Sequence, residues 1–161
     1  MKTTILKIKP MKQTKSGFCG PVALKMVLDF YGLNYGENYL AEILKTTREK
    51  GTDERGFRTG LKKIKLKFVI KSGASSEDIK FYLKKKIPVI VDWFSEDEGH
   101  YSAIVAATKN HIFLADPEIG KVRKMDLKTF ERVWFDFPGE KIRKPSDLIL
   151  RWLMAVYPPK N

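Results

Sequence analysis

The stretch SGFCGPVALKMVLDFYG, residues 16–32, decides how the rest of the chain must be arranged. Val22, Ala23, Met26, Val27 and Phe30 make the segment from Pro21 to Tyr31 apolar on nearly every face, and Gly32 stops it. A helix that is apolar all round belongs in the middle of a core. Pro21 suits its first turn, where a missing N–H costs nothing. Working outward, Tyr39, Leu40, Ile43 and Leu44 give a second, amphipathic helix, and Asp53 to Lys63 a third, weakened by Gly56 and Gly60. Ser75 or Ser76 caps a fourth helix with Ile79, Tyr82 and Leu83 as its buried stripe.

The second half changes character. Leu66 to Lys71, Pro88 to Phe94, His100 to Thr108 and His111 to Asp116 are rich in Val, Ile, Phe and Tyr and are expected to be strands. Lys121 to Met125 adds another, and Asp126 caps a short helix bearing Leu127, Phe130 and Val133. Glu140 to Ser146 is loop-like, and Leu148 to Tyr157 is expected to be a closing strand. Helices first and a mostly antiparallel sheet second make an α+β fold. The length of 161 residues, without repeat or linker, leads to the expectation of a single domain over residues 1–161.

Composition narrows the function classes. Hydrophobic residues at 43% and charged residues at 31% exclude disorder and collagen-like repeats. One cysteine excludes an intramolecular disulfide framework, and one Cys with two His cannot build a Cys-rich zinc site. No apolar run approaches the ~20 residues that span a bilayer, and lysines interrupt the N-terminus before a signal-peptide core forms. A soluble, cytoplasmic protein is expected. The net charge of +12 raises nucleic acid, anionic membrane or an acidic peptide as partners. The excess is mainly lysine, scattered at expected helix ends such as Lys62-Lys63 and Lys84-Lys85-Lys86, and no nucleic-acid motif is present. A solubilising surface is the plainer account, and nucleic acid is not an expected partner.

The only cysteine, Cys19, sits immediately before the apolar helix, where free N–H groups and the helix dipole favour a thiolate. The alternative is a buried structural cysteine. A thiol nucleophile needs a base, and strand parity separates the two histidines. If Thr108-Lys109-Asn110 form a three-residue hairpin loop, Ala107 faces His111, and His100 and Asp116 become diagonal neighbours on one face. His111 then points to the other face. A carboxylate beside His100 fixes its tautomer and favours the imidazolium that pairs with a thiolate. Gln13, six residues before Cys19, carries a side-chain amide able to donate to an oxyanion beside the sulfur, together with the Cys19 N–H. Glu96, Asp97 and Glu98 are expected to form a solvated loop, and Trp93 and Phe94 to pack in the core or wall a cleft.

At these residues the chain resembles the bacteriocin-processing, double-glycine leader peptidases, a family of papain-like cysteine peptidases. The matching motifs are Gln13, Cys19-Gly20-Pro21, Gly99-His100-Tyr101 and Asp116-Pro117, with Gly51-Thr52, Gly56 to Phe68 and Ile87-Pro88-Val89-Ile90 as further similar segments. The likeness runs from about Met11 to Trp134. It implies a papain-like fold and a cysteine peptidase in which Cys19 is nucleophile, His100 its acid–base partner, Asp116 the orienting carboxylate and Gln13 an oxyanion donor. A peptide or protein is the implied substrate, and no metal or organic cofactor is implied. In the leader-peptidase branch this domain usually heads an exporter, whereas this chain shows no membrane segment or P-loop, so a free-standing form is expected. Phe135 to Ser146 looks like an insertion. Two other readings remain: acyl transfer through the same triad, and a non-catalytic basic module that binds peptide or nucleic acid.

Overall fold

The computed structural model describes residues 2–161. Helices α1 (Cys19–Phe30), α2 (Glu37–Ile43) and α3 (Glu54–Lys63) come first. Strand β1 (Phe68–Lys71) and helix α4 (Ser76–Lys84) follow. Strands β2 (Val89–Ser95), β3 (Glu98–Ala107), β4 (His111–Asp116) and β5 (Lys121–Asp126) then run consecutively. Helix α5 (Leu127–Val133) and strands β6 (Phe135–Asp136), β7 (Ile149–Leu150) and β8 (Leu153–Val156) complete the order. Six strands form one sheet, β1-β8-β2-β3-β4-β5, in which every neighbouring pair is antiparallel. The α+β expectation holds, although α4 and α5 are interleaved with strands.

Helix α1 is buried as its composition requires: Val22, Ala23, Leu24, Met26, Val27 and Leu28 all lie in the core, packed between β3 and α2. The glycines that weaken α3 have a packing purpose. A Cβ on Gly56 would overlap the Leu44 carbonyl oxygen, and one on Gly60 would lie 2.6 Å from Leu44 Cδ2. Asp53 repays part of that lost propensity by accepting the Gly56 N–H at 2.7 Å as N-cap. Ser75 caps α4 in a reciprocal capping box with Asp78.

Two expectations need correction. The closing segment is two strands, broken at Arg151, whose φ is 48°. β8 enters between β1 and β2 inside the sheet, which is why all four of its residues are buried. The β3–β4 turn is also one residue tighter than expected. The Thr108 N–H donates to the His111 carbonyl at 2.8 Å, and Ala107 faces Ile112 rather than His111. A β-bulge at Val105 undoes the slip, so Ile104 faces Leu114 and Ala103 faces Ala115, the register expected farther along. Ala106 is thereby moved to pair with Phe113. The N-terminal segment covers the bulge: the Leu6 N–H donates to the Val105 carbonyl at 2.9 Å, and Ile5 bridges Ala106.

Gly17 has φ 76°, and a Cβ there would lie 2.6 Å from the carbonyl oxygens of both Thr47 and Arg48. Gly17→Ala should therefore destabilise the protein by about 1–3 kcal/mol, read as a lower urea midpoint at unchanged m-value. Gly32→Ala, at φ 74° with nothing within 4 Å, should cost less because only backbone strain remains.

Candidate active site

Cys19 is the first residue of α1. Neither a side-chain cap nor an acidic residue occupies that first turn, so its N–H groups stay available near the sulfur. The turn is held by close packing. A Cβ on Gly20 would lie 2.5 Å from Thr52 Oγ1 and 2.8 Å from Thr52 Cβ. The carbonyl of Thr52 in turn accepts the Tyr101 hydroxyl at 2.9 Å. Tyr101 is wedged edge-on against Phe57 and Trp152, with centroids at 5.0 and 5.6 Å. The start of α1 is thus pinned to β3 one residue beyond His100.

His100 and Asp116 meet on one face of β3 and β4. His100 Nε2 lies 2.5 Å from Asp116 Oδ1, with the histidine 4% and the aspartate 0% exposed. The imidazole edge packs on Trp93, 5.7 Å between centroids, and the Trp93 indole N–H donates to Ser102 Oγ at 3.0 Å. With Nε2 turned to the carboxylate, Nδ1 is left free of it, and Cys19 is near enough to favour the charged imidazole. Burial alone would lower the His100 pKa. The hydrogen bonds and charges of Asp116 and Cys19 outweigh it and push it up to about 10. Burial likewise works against a charged Asp116, but the hydrogen bond and charge of His100 prevail, helped by Arg123 and the Glu118 N–H, and hold it below the usual carboxylate range.

Gln13 is anchored beside this pair through its backbone, whose N–H donates to the Pro117 carbonyl at 2.8 Å. Its Nε2 donates to the Lys15 carbonyl at 3.0 Å, and its Oε1 is buried without a partner. Among the described residues no hydrogen bond joins Gln13 to Cys19 or His100. His111 is half-buried, pairs with Asp126 and lies away from the site. Glu96, Asp97 and Glu98 are exposed at the β2–β3 turn, and Trp93 is buried against His100.

Three residues at the site escape the sequence reading. Arg123 Nε donates to Asp116 Oδ2 at 2.8 Å, and its guanidinium lies 5.8 Å from the Trp93 ring centre. The parity argument used for His100 would have found it, because Asp116 pairs with Lys121 and Arg123 is two residues along the same face. Asp92 is buried on β2, and Asp136 approaches it from β6. The one signal for Asp92 is a lone acid within the apolar run Ile87 to Phe94; nothing marks Asp136. The ligand atoms of His100, Asp116 and Glu118 also fall within 4.8 Å of one another. The His100–Asp116 and Arg123–Asp116 bonds already use the two buried members, which argues for an ion-paired site rather than a metal centre.

Comparison with known proteins identifies the family and the fold. The model of the Peptidase C39 family matches residues 7–137. The chain is 26% identical over 126 residues to the sublancin-168-processing and transport ATP-binding protein SunT of Bacillus subtilis, covering 78% of this chain and 18% of that relative's length. It is 33% identical over 126 residues to an uncharacterized protein of Methanothermobacter thermautotrophicus, covering 76% of this chain and 80% of the other. Its fold is similar to the peptidase domain of Streptococcus ComA, with TM-score 0.74, 23% identity and coverage of 94% and 99% of the two chains. It is also similar to a double-glycine motif protease from an AMS/PCAT transporter in complex with the leader peptide, with TM-score 0.72, 16% identity and coverage of 99% and 100%. Among the described residues, no helix is long and apolar enough to cross a membrane. The family model covers most of the chain, and the fold is shared with solved peptidase domains: this chain belongs to the Peptidase C39 family of cysteine peptidases.

Proposed function

We propose that the protein hydrolyses a peptide bond through Cys19, His100 and Asp116, with Gln13 and the Cys19 N–H as oxyanion donors, and that its substrate is a peptide with a double-glycine leader. The observation that carries the reading is the buried His100 bonded to Asp116 on one face of β3 and β4, an arrangement in which Asp116 and Cys19 raise the histidine to about 10. An imidazole so held is protonated at neutral pH, and so can pair with a thiolate and supply a proton to a leaving group. The names of the relatives support the leader substrate: one processes sublancin and another was captured with a leader peptide. The chain spans less than a fifth of SunT, so the exporter functions of such relatives are not carried over.

The chemistry follows from the charges. The Cys19 thiolate attacks the scissile carbonyl, forming a C–S bond, and the electron pair displaced onto oxygen is received by the Gln13 amide and the Cys19 N–H. The His100 imidazolium gives its proton to the departing amine as the C–N bond breaks, leaving a thioester and a neutral imidazole. His100 then takes a proton from water, whose oxygen attacks the thioester. Collapse expels the thiolate and restores the starting pair. Asp116 stays ionised throughout, because His100, Arg123 and the Glu118 N–H all favour its charge.

Cys19 should be alkylated by iodoacetamide at pH 6 far faster than a model thiol of pKa ~8.5, and His100→Ala should remove most of that excess. A wild-type thiol that reacts no faster than the model would overturn the reading. With a synthetic double-glycine leader peptide as substrate, Cys19→Ala should abolish cleavage. Gln13→Ala should lower kcat on the order of 100- to 1000-fold while leaving the alkylation rate close to wild type; unchanged kcat would return Gln13 to the ordinary surface.

The same histidine links stability to pH. Its folded pKa of about 10 exceeds the ordinary 6.5, so its contribution is complete below the ordinary value and is lost as pH rises through the folded one. Urea unfolding should therefore show stability falling between pH 7 and pH 10, with a shallower decline in His100→Gln.

A further inference from the structure

Four neighbouring strands each send one side chain to the same face of the sheet: Trp93 from β2, His100 from β3, Asp116 from β4 and Arg123 from β5. Their contacts close into a ring. His100 Nε2 meets Asp116 Oδ1 at 2.5 Å, and Asp116 Oδ2 accepts the Arg123 Nε–H at 2.8 Å. The Arg123 guanidinium lies 5.8 Å from the Trp93 ring centre, and the Trp93 indole meets the His100 imidazole edge-on at 5.7 Å. The indole is itself held, because it is 3% exposed and its N–H donates to Ser102 Oγ at 3.0 Å.

The two oxygens of Asp116 are unequally served. Oδ1 faces His100 and also accepts the Glu118 N–H at 2.9 Å. Among the described residues, Oδ2 has Arg123 alone. Asp116 is 0% exposed, so water does not replace a donor lost at Oδ2, and an unpaired buried acceptor is costly. Turning the carboxylate to find another donor would swing Oδ1 off the imidazole.

Lysine does not reproduce this arrangement. It places a methylene where the arginine has Nε, and its ammonium has no flat face to lay on an indole. The positive charge would survive one atom farther along, but the bond and the stacking would not. The Arg123 side chain is 32% exposed, so contact with substrate is the competing role. The two separate in kinetics, since a lost substrate contact raises KM and a misplaced reacting group lowers kcat.

Resting on the assignment of His100 and Asp116 to the peptidase reaction, we propose that Arg123 is a positioning residue of that pair: its Nε–H holds Asp116 Oδ2 while its guanidinium rests on Trp93, so carboxylate and imidazole are locked against each other from the outermost strand.

With a synthetic double-glycine leader peptide, Arg123→Lys and Arg123→Met should each lower kcat by about 10- to 100-fold with KM close to wild type. In an Asp116→Ala background, Arg123→Lys should cost little more, because the oxygen it serves is already gone. A second measurement needs no peptide. In the intact protein with isotope-labelled histidine, the proton shared by His100 and Asp116 should resonate well downfield of an ordinary ring N–H and vanish in His100→Gln. In Arg123→Lys it should move upfield or exchange faster with solvent. Full activity in Arg123→Lys, a raised KM at unchanged kcat, an equal loss in the Asp116→Ala background, or an unaltered His100 signal would overturn the positioning role. A wild type that shows the signal, yet neither cleaves the peptide nor alkylates faster than a free model thiol, would instead overturn the peptidase reading. The signal in Arg123→Lys would then still decide whether Arg123 holds the pair.

Discussion

Gly20 touches Thr52 so closely that no side chain fits between them, and Thr52 is tied to β3 by the Tyr101 hydroxyl. That contact sets where α1 begins, and therefore where its dipole and its cysteine lie. Burial of the apolar face of α1 supplies the driving force, but burial is non-directional and would tolerate sliding along the helix axis. A hydrogen bond and a glycine contact do not tolerate it. The consecutive residues His100 and Tyr101 thus divide the work: one bonds Asp116, and the other fixes the turn that carries the cysteine.

The acid at the far side of His100 shows why isolated pairs are a poor description of this site. Asp116 is wholly buried, and a lone buried carboxylate would pick up a proton rather than remain charged. Removing either His100 or Arg123 would leave that charge short of a partner, which is the expensive case for buried ions. The half-exposed Arg123 guanidinium lies against the Trp93 ring, and that ring supports the imidazole edge. The orientation of His100 is consequently fixed by packing as well as by charge.

Much of this was legible in the sequence because it depends on periodicity. The helix from Pro21 to Tyr31 and the shared face of His100 and Asp116 follow from the periods of helix and strand, and both are present. The face assignment held although the turn is one residue shorter than expected, because the Val105 bulge restores the register before the site is reached. A bulge is set by long-range backbone contacts, here those of Ile5 and Leu6, and it leaves no mark in local composition. The place of β8 inside the sheet was illegible for the same reason: four apolar residues fit any interior position, and only β1 and β2 together select one. The segment beginning at Phe135 stands out as an insertion, but no local rule says that its second residue would stop against Gly99.

That stop ties the segment after α5 to the strand that carries His100. Strand β3 runs past its partner, since Ala103 is the first of its residues paired with β4, and His100 lies three residues earlier. The early part of β3 therefore lacks a β4 neighbour, and Asp116 reaches it through a side chain rather than a ladder. On its other edge the same part is paired with β2, and the turn from α5 into β6 closes over Gly99. The Trp134 indole N–H donates to the Trp152 carbonyl at 3.0 Å, and the Arg151 N–H donates to the Trp134 carbonyl at 3.0 Å, which anchors that turn to the break between β7 and β8. The far C-terminal chain is thereby coupled to the backbone around His100. A glycine before the histidine is then required by the Asp136 carboxyl that lies on it, independently of any need for substrate access at that position.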